Sequence, residues 1–347
     1  MNDRAPSPES RVPSPESRVS DYTERELIAR ITALLPPPPS WMPVGIGDDA
    51  AVVEPERNRL EVLSVDALVE GVHFDRAFTP PAAIGHRALA ANLSDLAAMG
   101  AAPRLCLLSL ALPSSLLVAD FDAMIGGVVA LAAHHRMHVA GGNLTRSPGP
   151  LVVDITVTGT AKRRQILTRS GARPGDELYV TGSLGAAAAG LGMLKERPAE
   201  ATRDNSCTRR YLYPEPRVRM GSLIARNRAA TAGMDLSDGL ADGVHQIAHA
   251  SGVGAIVDAD TLPIEPDARD WFAGRSDDPT TAAITGGDDY ELLIAVRPKL
   301  GRRLAEARRH GGAALTLVGV CTDDPAVVLK CGDGRHRPLP QGYHHFR

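Results

Sequence analysis

The sequence predicts an α+β protein built from two mixed α/β domains. The chain has 347 residues, which is enough for two domains of ordinary size, each with its own core. Short alternating, β-branched segments are interspersed with longer segments of helical periodicity. A basic stretch that ends in turn residues, 162–175, separates two such series. We therefore expect a disordered tail over 1–20, an N-terminal domain over 21–162 and a C-terminal domain over 163–347.

Composition narrows the class of protein. Hydrophobic residues make up 44% of the chain and charged residues 23%, as in a globular soluble protein. A net charge of −3 argues against a nucleic-acid partner. The four cysteines are scattered without a C-x-x-C pair, which favours reduced thiols in a cytosol. The most apolar stretch, 105–119, is too short to cross a membrane and contains Pro113. We expect a cytoplasmic protein with no membrane partner.

The N-terminal series begins after a tandem repeat, PSPESRV, at 6–12 and 13–19. The repeat has almost no apolar side chains to offset the entropy of ordering, so we expect it to lie outside the fold. The segment 21–35 has a helical stripe, with Ser20 or Asp21 as its expected N-cap. Further along, the patterns predict strands at 60–69 and 151–161 and helices at 81–100 and 121–135.

The C-terminal series again alternates strand and helix patterns. A polar stretch at 195–210 interrupts it and is interpreted as a loop or insertion. The predicted strands are 177–182, 254–260, 290–296 and 315–320, and the predicted helices are 183–194 and 216–229.

Acidic residues recur in five segments that share one pattern: small residues and glycine, then Asp, then an apolar run. A single Asp-Gly segment is most simply a turn, but five of them with few bases nearby favour bound Mg²⁺, which prefers hard oxygen ligands. The chain has neither a P-loop nor a kinase-type glycine-rich loop, so any nucleotide would be held through metal ions and glycine backbone. The five segments are GIGDDAAVV (45–53), SVDALVEGVHF (64–74), NLSDLAAMG (92–100), MDLSDGLADG (234–243) and TGGDDYELL (285–293).

Several of these residues also have simpler interpretations. Asp242 is interpreted as a solvated helix residue, and His134 with His138 as a solvated helix end without nearby acids. His73 fits a core or edge histidine as well as a ligand. Asp95 lies between Leu93 and Leu96 in an alanine-rich helix, which favours a buried or ligated role. The glycine-rich segment 182–190 is explained equally well by a tight turn and by a phosphate cradle.

The segments GIGDDA, NLSDLAAMGA, DLSDG and GGDDYEL, in this order, together with LTRSGARPGDELYVTG (167–182) and GYHHF, resemble the thiamine-monophosphate kinases. That family lies in the superfamily of aminoimidazole ribonucleotide synthetase and selenophosphate synthetase, and the resemblance covers residues 22–347. It implies a homodimer whose N-terminal domain binds ATP and Mg²⁺ and dimerises, followed by a C-terminal domain of the synthetase type. It also implies direct, in-line phosphorylation of thiamine monophosphate by ATP with several Mg²⁺ ions, the final step of thiamine diphosphate biosynthesis. No covalent catalytic residue is expected.

The resemblance also assigns site residues by position. Asn143, Val65 and Asp288 stand where the family usually has Asp, Thr and Glu, and the first two changes fall on one metal site. The assigned substrate contacts are His73, Asp288 and Tyr343, and the ATP contacts are Gly142, Asn143, Arg169 and Ser237. The assigned metal ligands are Asp49 (with Asp48 as its neighbour), Ser64, Val65, Asp66, Asp95, Asn143, Asp235 and Asp238.

Two other functions stay open at this point. One is a non-catalytic protein of the same fold that binds ATP or thiamine phosphates; the retained acids favour an enzyme instead. The other is a ligase of the superfamily with a different phosphate acceptor, against which the GGDDYEL and GYHHF segments argue.

Overall fold

The computed structural model describes residues 14, 16–198, 205–275 and 278–343. The chain forms two compact units that interleave along the sequence. The first comprises Met1–Pro55, Val65–Leu89 and Leu105–Thr156, and the second comprises Glu56–Ser64, Ala90–Arg104 and Val157–Arg347. The domain boundaries expected at 20/21 and 162/163 stay a prediction.

The described residues form helices and strands in alternation, which confirms the α+β class. The helices are α1 (Glu24–Leu34), α2 (Pro81–Ala98), α3 (Val118–His134), α4 (Ala186–Glu196), α5 (Ser206–Leu212), α6 (Val218–Asn227), α7 (Leu240–Ser251), α8 (Pro266–Ala273), α9 (Pro279–Thr285) and α10 (Ala305–His310). The strands are β1 (Leu60–Val69), β2 (Ala102–Pro113), β3 (His138–Ser147), β4 (Val152–Ala161), β5 (Glu177–Thr181), β6 (Ala232–Asp235), β7 (Gly254–Asp258), β8 (Leu292–Val296), β9 (Leu315–Thr322), β10 (Val327–Lys330) and β11 (His336–Pro338).

The strands form two sheets. The smaller sheet has the order β1-β4-β2-β3, in which β2 and β3 run parallel. The larger sheet has the order β11-β10-β7-β9-β5-β8-β6. Its strand pairs are antiparallel except for β10 with β7. The strand β8, which lies between β5 and the edge strand β6, is buried at every position.

Helix packing in the first unit depends on two glycines. A Cβ atom on Gly85 of α2 would lie 1.9 Å from the carbonyl oxygen of Met124, and one on Gly127 of α3 would lie 2.1 Å from that of Ala82. The two helix backbones therefore touch at positions where only glycine fits. This contact fixes the position of the N-terminal half of α2, which belongs to the first unit.

The cap of α1 differs from the prediction. Its N-cap is Thr23, not Ser20 or Asp21. The Thr23 hydroxyl accepts the Glu26 N–H at 3.3 Å, and the Glu26 carboxylate accepts the Thr23 N–H at 2.7 Å. This reciprocal capping box satisfies two backbone donors at once, so it defines the helix start better than either earlier residue.

The N-terminal tail also differs from the prediction. The Val19 N–H donates to the carbonyl oxygen of Leu116 at 2.9 Å, the Val118 N–H donates to that of Ser17 at 2.9 Å, and Val19 is buried. Residues 17–20 therefore belong to the fold, because one apolar side chain and two backbone hydrogen bonds hold them there. The first repeat copy lies outside the described residues.

Several predicted strands and helices match the structure, and others do not. The predicted strand 60–69 is β1 at both ends, and the predicted helix 121–135 is α3 within a few residues. The strands β2 and β3 were missed, and because His138 begins β3, His134 and His138 do not share a helix. All four cysteines are free thiols. Among the described residues, no helix combines the length and apolar content needed to cross a membrane.

Candidate functional site

The centre of the candidate site in the second unit is a pair of carboxylates. Asp235 is the last residue of β6 and is buried at 4% exposure, and Asp95 projects from α2. The Ser94 hydroxyl, which is fully buried, donates to Asp235 Oδ2 at 2.7 Å. The Ser64 hydroxyl donates to Asp95 in the same way. Each acid is therefore oriented by a serine from a different segment of the chain.

The surroundings of Asp235 disfavour its charged form. Burial raises the pKa of Asp235 well above its usual range, and the negative charge of Asp95 raises it further, while the Ser94 hydroxyl and the more distant Arg169 lower it. Two neighbouring carboxylates repel each other unless a positive charge lies between or beside them. A divalent cation at this position would favour the ionised form of both acids.

The donor set suits Mg²⁺. It consists of hard oxygens from two carboxylates and two hydroxyls, the ligand type that Mg²⁺ prefers. In the part of the chain that the structure describes, no three or more His, Cys, Asp or Glu side chains cluster to hold a metal on their own. Mg²⁺ usually takes only one or two protein carboxylates and completes its shell with water and substrate phosphates. The site therefore fits a cation shared with a bound phosphate group.

Two loops beside the acid pair are joined through their backbones. The loop 235–238 and the segment 286–291 exchange three hydrogen bonds. The Leu236 N–H donates to the carbonyl oxygen of Glu291 at 2.8 Å, the Tyr290 N–H to that of Leu236 at 3.1 Å, and the Asp288 N–H to that of Ser237 at 2.7 Å. The motifs DLSDG and GGDDYEL, although about fifty residues apart in the sequence, thus form one local structure in which Asp288 lies beside Ser237.

Further predicted residues adjoin these loops. The Ser237 hydroxyl donates to Asp238 Oδ2 at 3.0 Å, and the Tyr343 N–H donates to the carbonyl oxygen of Asp238 at 3.2 Å. The Tyr343 side chain is 52% exposed, so it is accessible to a ligand. The remaining residues of GYHHF, 344–346, lie outside the described residues.

Arg169 is held by residues that the sequence analysis did not select. Arg169 Nη1 donates to Gln246 Oε1, and Gln246 Nε2 donates to Asp242 Oδ2. The interpretation of Asp242 as a solvated helix residue is therefore wrong. Asp242 is half-buried and anchors Gln246 one turn further along α7. The i, i+4 spacing of Asp242 and Gln246 was the signal that could have indicated this pair.

The other predicted residues lie in the first unit. Two of them, Val65 and Asp66, are neighbours on β1. Successive side chains of a strand point to opposite faces. Val65 is 59% exposed, on the face opposite to that of its neighbour Asp66. Val65 can therefore reach a cation only through its backbone carbonyl. Asp49 lies in an exposed turn, where its N–H donates to Asp48 Oδ1 at 2.8 Å.

His73 has a local structural role in the turn after β1. Its Nδ1 accepts the Val69 N–H at 3.1 Å, which leaves the proton of the neutral ring on Nε2. Arg87, a buried residue of α2, donates to the His73 carbonyl oxygen at 3.5 Å. These contacts fix the position of His73 and leave its ligand role a prediction.

Gly142 and Asn143 lie on β3, opposite Leu108 and Ser109 of β2. A Cβ atom on Gly142 would lie 1.9 Å from the carbonyl oxygen of Leu108. The close approach of the neighbouring strand therefore suffices to require glycine here, whether or not ATP contacts it. Asn143 is exposed on the same strand.

Known proteins are similar to this chain over most of its length. Residues 47–161 match the family model of the AIR synthase related protein, N-terminal domain, and residues 173–332 match that of its C-terminal domain. A thiamine-monophosphate kinase of Synechococcus elongatus is 39% identical over 308 residues, which cover 86% of this chain and 91% of that protein.

Two solved structures have the same fold. The crystal structure of thiamine-monophosphate kinase from Stenotrophomonas maltophilia K279a superimposes with a TM-score of 0.79 at 38% identity, over 90% of this chain and 96% of that one. A structure described as AaThiL complexed with AMPPCP and TMP superimposes with a TM-score of 0.72 at 29% identity, over 96% of this chain and all of that one.

Proposed function

This chain belongs to the AIR synthase related family and is a thiamine-phosphate kinase, and we propose that it phosphorylates thiamine monophosphate with ATP by direct, Mg²⁺-dependent transfer. The observation that carries the proposal is the pair formed by half-buried Asp95 and buried Asp235, each oriented by a serine hydroxyl. The relative described with AMPPCP and TMP supports the identity of the two substrates.

The proposed reaction needs one bond to form and one to break. An oxygen of the thiamine monophosphate phosphate attacks the terminal phosphorus of ATP, and the bond from that phosphorus to the β–γ bridging oxygen breaks. ADP and thiamine diphosphate result, with no covalent enzyme intermediate. Such a transfer demands positioning and charge neutralisation more than a reactive side chain. We therefore assign no covalent catalytic residue.

The residues divide this work among themselves. Bound Mg²⁺ would neutralise the phosphate oxygens along the reaction path. Asp95 and Asp235 would hold it in the second unit, and Asp238 would contribute from the next turn. Arg169 and Ser237 would contact ATP. The hydrogen bond to Gln246 holds the Arg169 side chain in place. Asp288 and Tyr343 would contact thiamine monophosphate.

The first unit would contribute the remaining predicted residues. Asp49, Asp66, Asn143 and the Val65 carbonyl are proposed as further metal ligands. Gly142 is proposed beside ATP and His73 beside the substrate. Asn143 lacks the negative charge of an Asp, so we propose that one cation is held less tightly than the others.

The function is tested by incubating the protein with ATP, thiamine monophosphate and Mg²⁺. We expect equimolar ADP and thiamine diphosphate by chromatography, and neither product after chelation of the metal. Asp95→Asn should abolish both products, whereas the control Asp270→Asn, at an exposed position of α8, should not. Binding of both substrates without product would favour the non-catalytic alternative. ADP without thiamine diphosphate would contradict the assigned acceptor.

We also propose a homodimer formed through the face of β1 opposite to Ser64 and Asp66. On that face of β1, the aliphatic side chains of Leu63 and Val65 are 69% and 59% exposed. Apolar side chains exposed together favour an interaction surface. Light scattering should report a dimer for the wild type and a monomer for Leu63→Asp; a monomeric wild type would refute the proposal. The cytoplasmic location stays a prediction.

A further inference from the structure

The backbone of the segment that carries Asp288 is strained at two positions. The φ angle is 67° at Asp288 and 51° at Tyr290, in the left-handed region that side chains other than glycine disfavour. Strained residues of this kind persist only where the surrounding structure fixes them, and they cluster at binding and catalytic sites. The contacts that fix these two residues are therefore of functional interest.

Asp289 and Glu291, the residues that follow each strained position, are both buried and both anchored. Asp289 accepts the N–H groups of Gly185 at 2.7 Å and Ala187 at 3.2 Å, where α4 begins. Glu291 accepts from Nε and Nη2 of Arg217 at 2.7 and 2.6 Å. Asp289 and Glu291 are thus fixed inside the protein. Tyr290 is also buried, whereas Asp288 is half-buried.

Arg210, on α5, bridges the second strained residue. Its Nη2 donates to the carbonyl oxygen of Asp289 at 3.2 Å and also to Glu291 Oε1. These two acceptors belong to the residues on either side of Tyr290, so the guanidinium group contacts the backbone before it and the side chain after it. The Tyr290 hydroxyl in turn donates to Asp288 Oδ1 at 3.2 Å. A chain of contacts therefore leads from Arg210 through Tyr290 to the Asp288 carboxylate.

We propose that Arg210 is a positioning residue for the phosphate acceptor: it holds the turn at Asp288–Tyr290 in the geometry that directs the Asp288 carboxylate at thiamine monophosphate. The inference rests on the proposed function, in which Asp288 contacts that substrate. Arg210 lies 81 positions from Glu291 in the sequence and in none of the acidic segments.

Arg210→Met is a suitable test because the fold has a second anchor. Glu291 keeps both hydrogen bonds from Arg217 when Arg210 is removed, so the buried carboxylate stays paired. The matched control is Arg209→Met, an exposed neighbour on the same helix. We expect Arg210→Met to raise the KM for thiamine monophosphate about tenfold, the usual size of a lost hydrogen bond to a charged group, with a smaller change in kcat.

A double-mutant cycle distinguishes positioning from general destabilisation. If Arg210 acts through Asp288, adding Arg210→Met to Asp288→Ala should change the KM for thiamine monophosphate by less than about twofold, because coupled residues are non-additive. Additive effects of the two substitutions would overturn the proposal. The KM for ATP should be the same in Arg210→Met and Arg209→Met.

Amide hydrogen exchange of the protein without substrate supplies a readout that does not depend on activity. The N–H groups of Asp288 and Tyr290 should exchange about tenfold faster in Arg210→Met than in Arg209→Met, since the turn then opens more readily. Unchanged exchange at both amides would overturn the proposal, even if the kinase activity is confirmed. A wild type that makes no thiamine diphosphate would refute the proposed function, while the exchange result would still decide whether Arg210 positions the turn.

Discussion

Removing the Ser94 hydroxyl should weaken Mg²⁺ binding while leaving the protein folded. Ser94 Oγ lies 2.7 Å from Asp235 Oδ2, and both residues are buried. In Ser94→Ala the carboxylate loses the donor that fixes its orientation, so a bound cation must itself orient it. Replacing an outer residue that orients a metal ligand typically lowers metal affinity about 10–100-fold. We expect the Mg²⁺ concentration for half-maximal activity to rise by that order.

The cost to stability should be modest. A hydrogen bond to a charged group contributes about 1.5–3 kcal/mol, and the cavity left by one hydroxyl is small. The melting temperature without metal should therefore fall by a few degrees, which leaves the protein folded at room temperature.

The assay has two arms. ADP formation is titrated with Mg²⁺ at saturating ATP, corrected for Mg-ATP, and the rise in melting temperature is titrated with Mg²⁺ in the absence of substrates. Ser115→Ala, at an exposed turn before α3, is the control and should leave both titrations unchanged. Curves for Ser94→Ala that superimpose on those of the wild type in both arms would refute the assignment of Asp235 as a metal ligand oriented by Ser94.

Four further predictions follow from named contacts. Asn143→Asp should lower the Mg²⁺ concentration for half-maximal activity, because it restores a negative charge, with little effect on the KM for thiamine monophosphate; identical Mg²⁺ titrations would show that this position does not limit turnover. Tyr290→Phe should raise that KM a few-fold and leave the Mg²⁺ requirement unchanged, since the hydrogen bond from its hydroxyl to Asp288 is lost. Gly287→Ala should raise the KM for thiamine monophosphate and also the Mg²⁺ requirement, because its Cβ would lie 2.5 Å from the carbonyl oxygen of Ser237 and displace the joined loops. An unchanged Mg²⁺ requirement would contradict this coupling. Deleting both repeat copies, 6–19, should destabilise the protein by about 1–2 kcal/mol in denaturant titration, because burial of Val19 is lost. Deleting one copy leaves an identical PSPESRV before Ser20 and should leave the free energy of unfolding unchanged.

Local patterns explain why much of the fold was predictable. The alternation in β1 and the helical periodicity of α3 place each element within a few residues, because a strand or helix with one buried face repeats that face in its sequence. β3 was missed because HVAGGNLTRS contains two glycines and few β-branched residues. The capping box at Thr23 and Glu26 was readable from its T-x-x-E spacing and was overlooked.

The contacts that orient the candidate site were not predictable in this way. Ser94 adjoins Asp95, yet its partner is Asp235, 141 positions away. Only the fold, by bringing the end of α2 next to the end of β6, makes this serine a donor to that acid. Arg210 is a comparable case, since nothing in its surrounding sequence indicates Glu291. Sequence motifs identify the groups that face a ligand, whereas the groups that hold them are chosen by tertiary packing.

The backbone hydrogen bonds between 235–238 and 286–291 connect the proposed metal ligands to the proposed contact with the acceptor. Asp235 and Asp238 are proposed to hold cations and Asp288 to contact the acceptor, and the Asp288 N–H donates to the carbonyl oxygen of Ser237 at 2.7 Å, between the two proposed metal ligands. A shift of one loop therefore shifts the other, because these bonds join their main chains directly. Binding of Mg²⁺ with ATP would thus fix the position of Asp288 before thiamine monophosphate arrives. Ordering the turn in advance reduces the entropy lost when the acceptor binds, so the two substrates should bind with positive cooperativity.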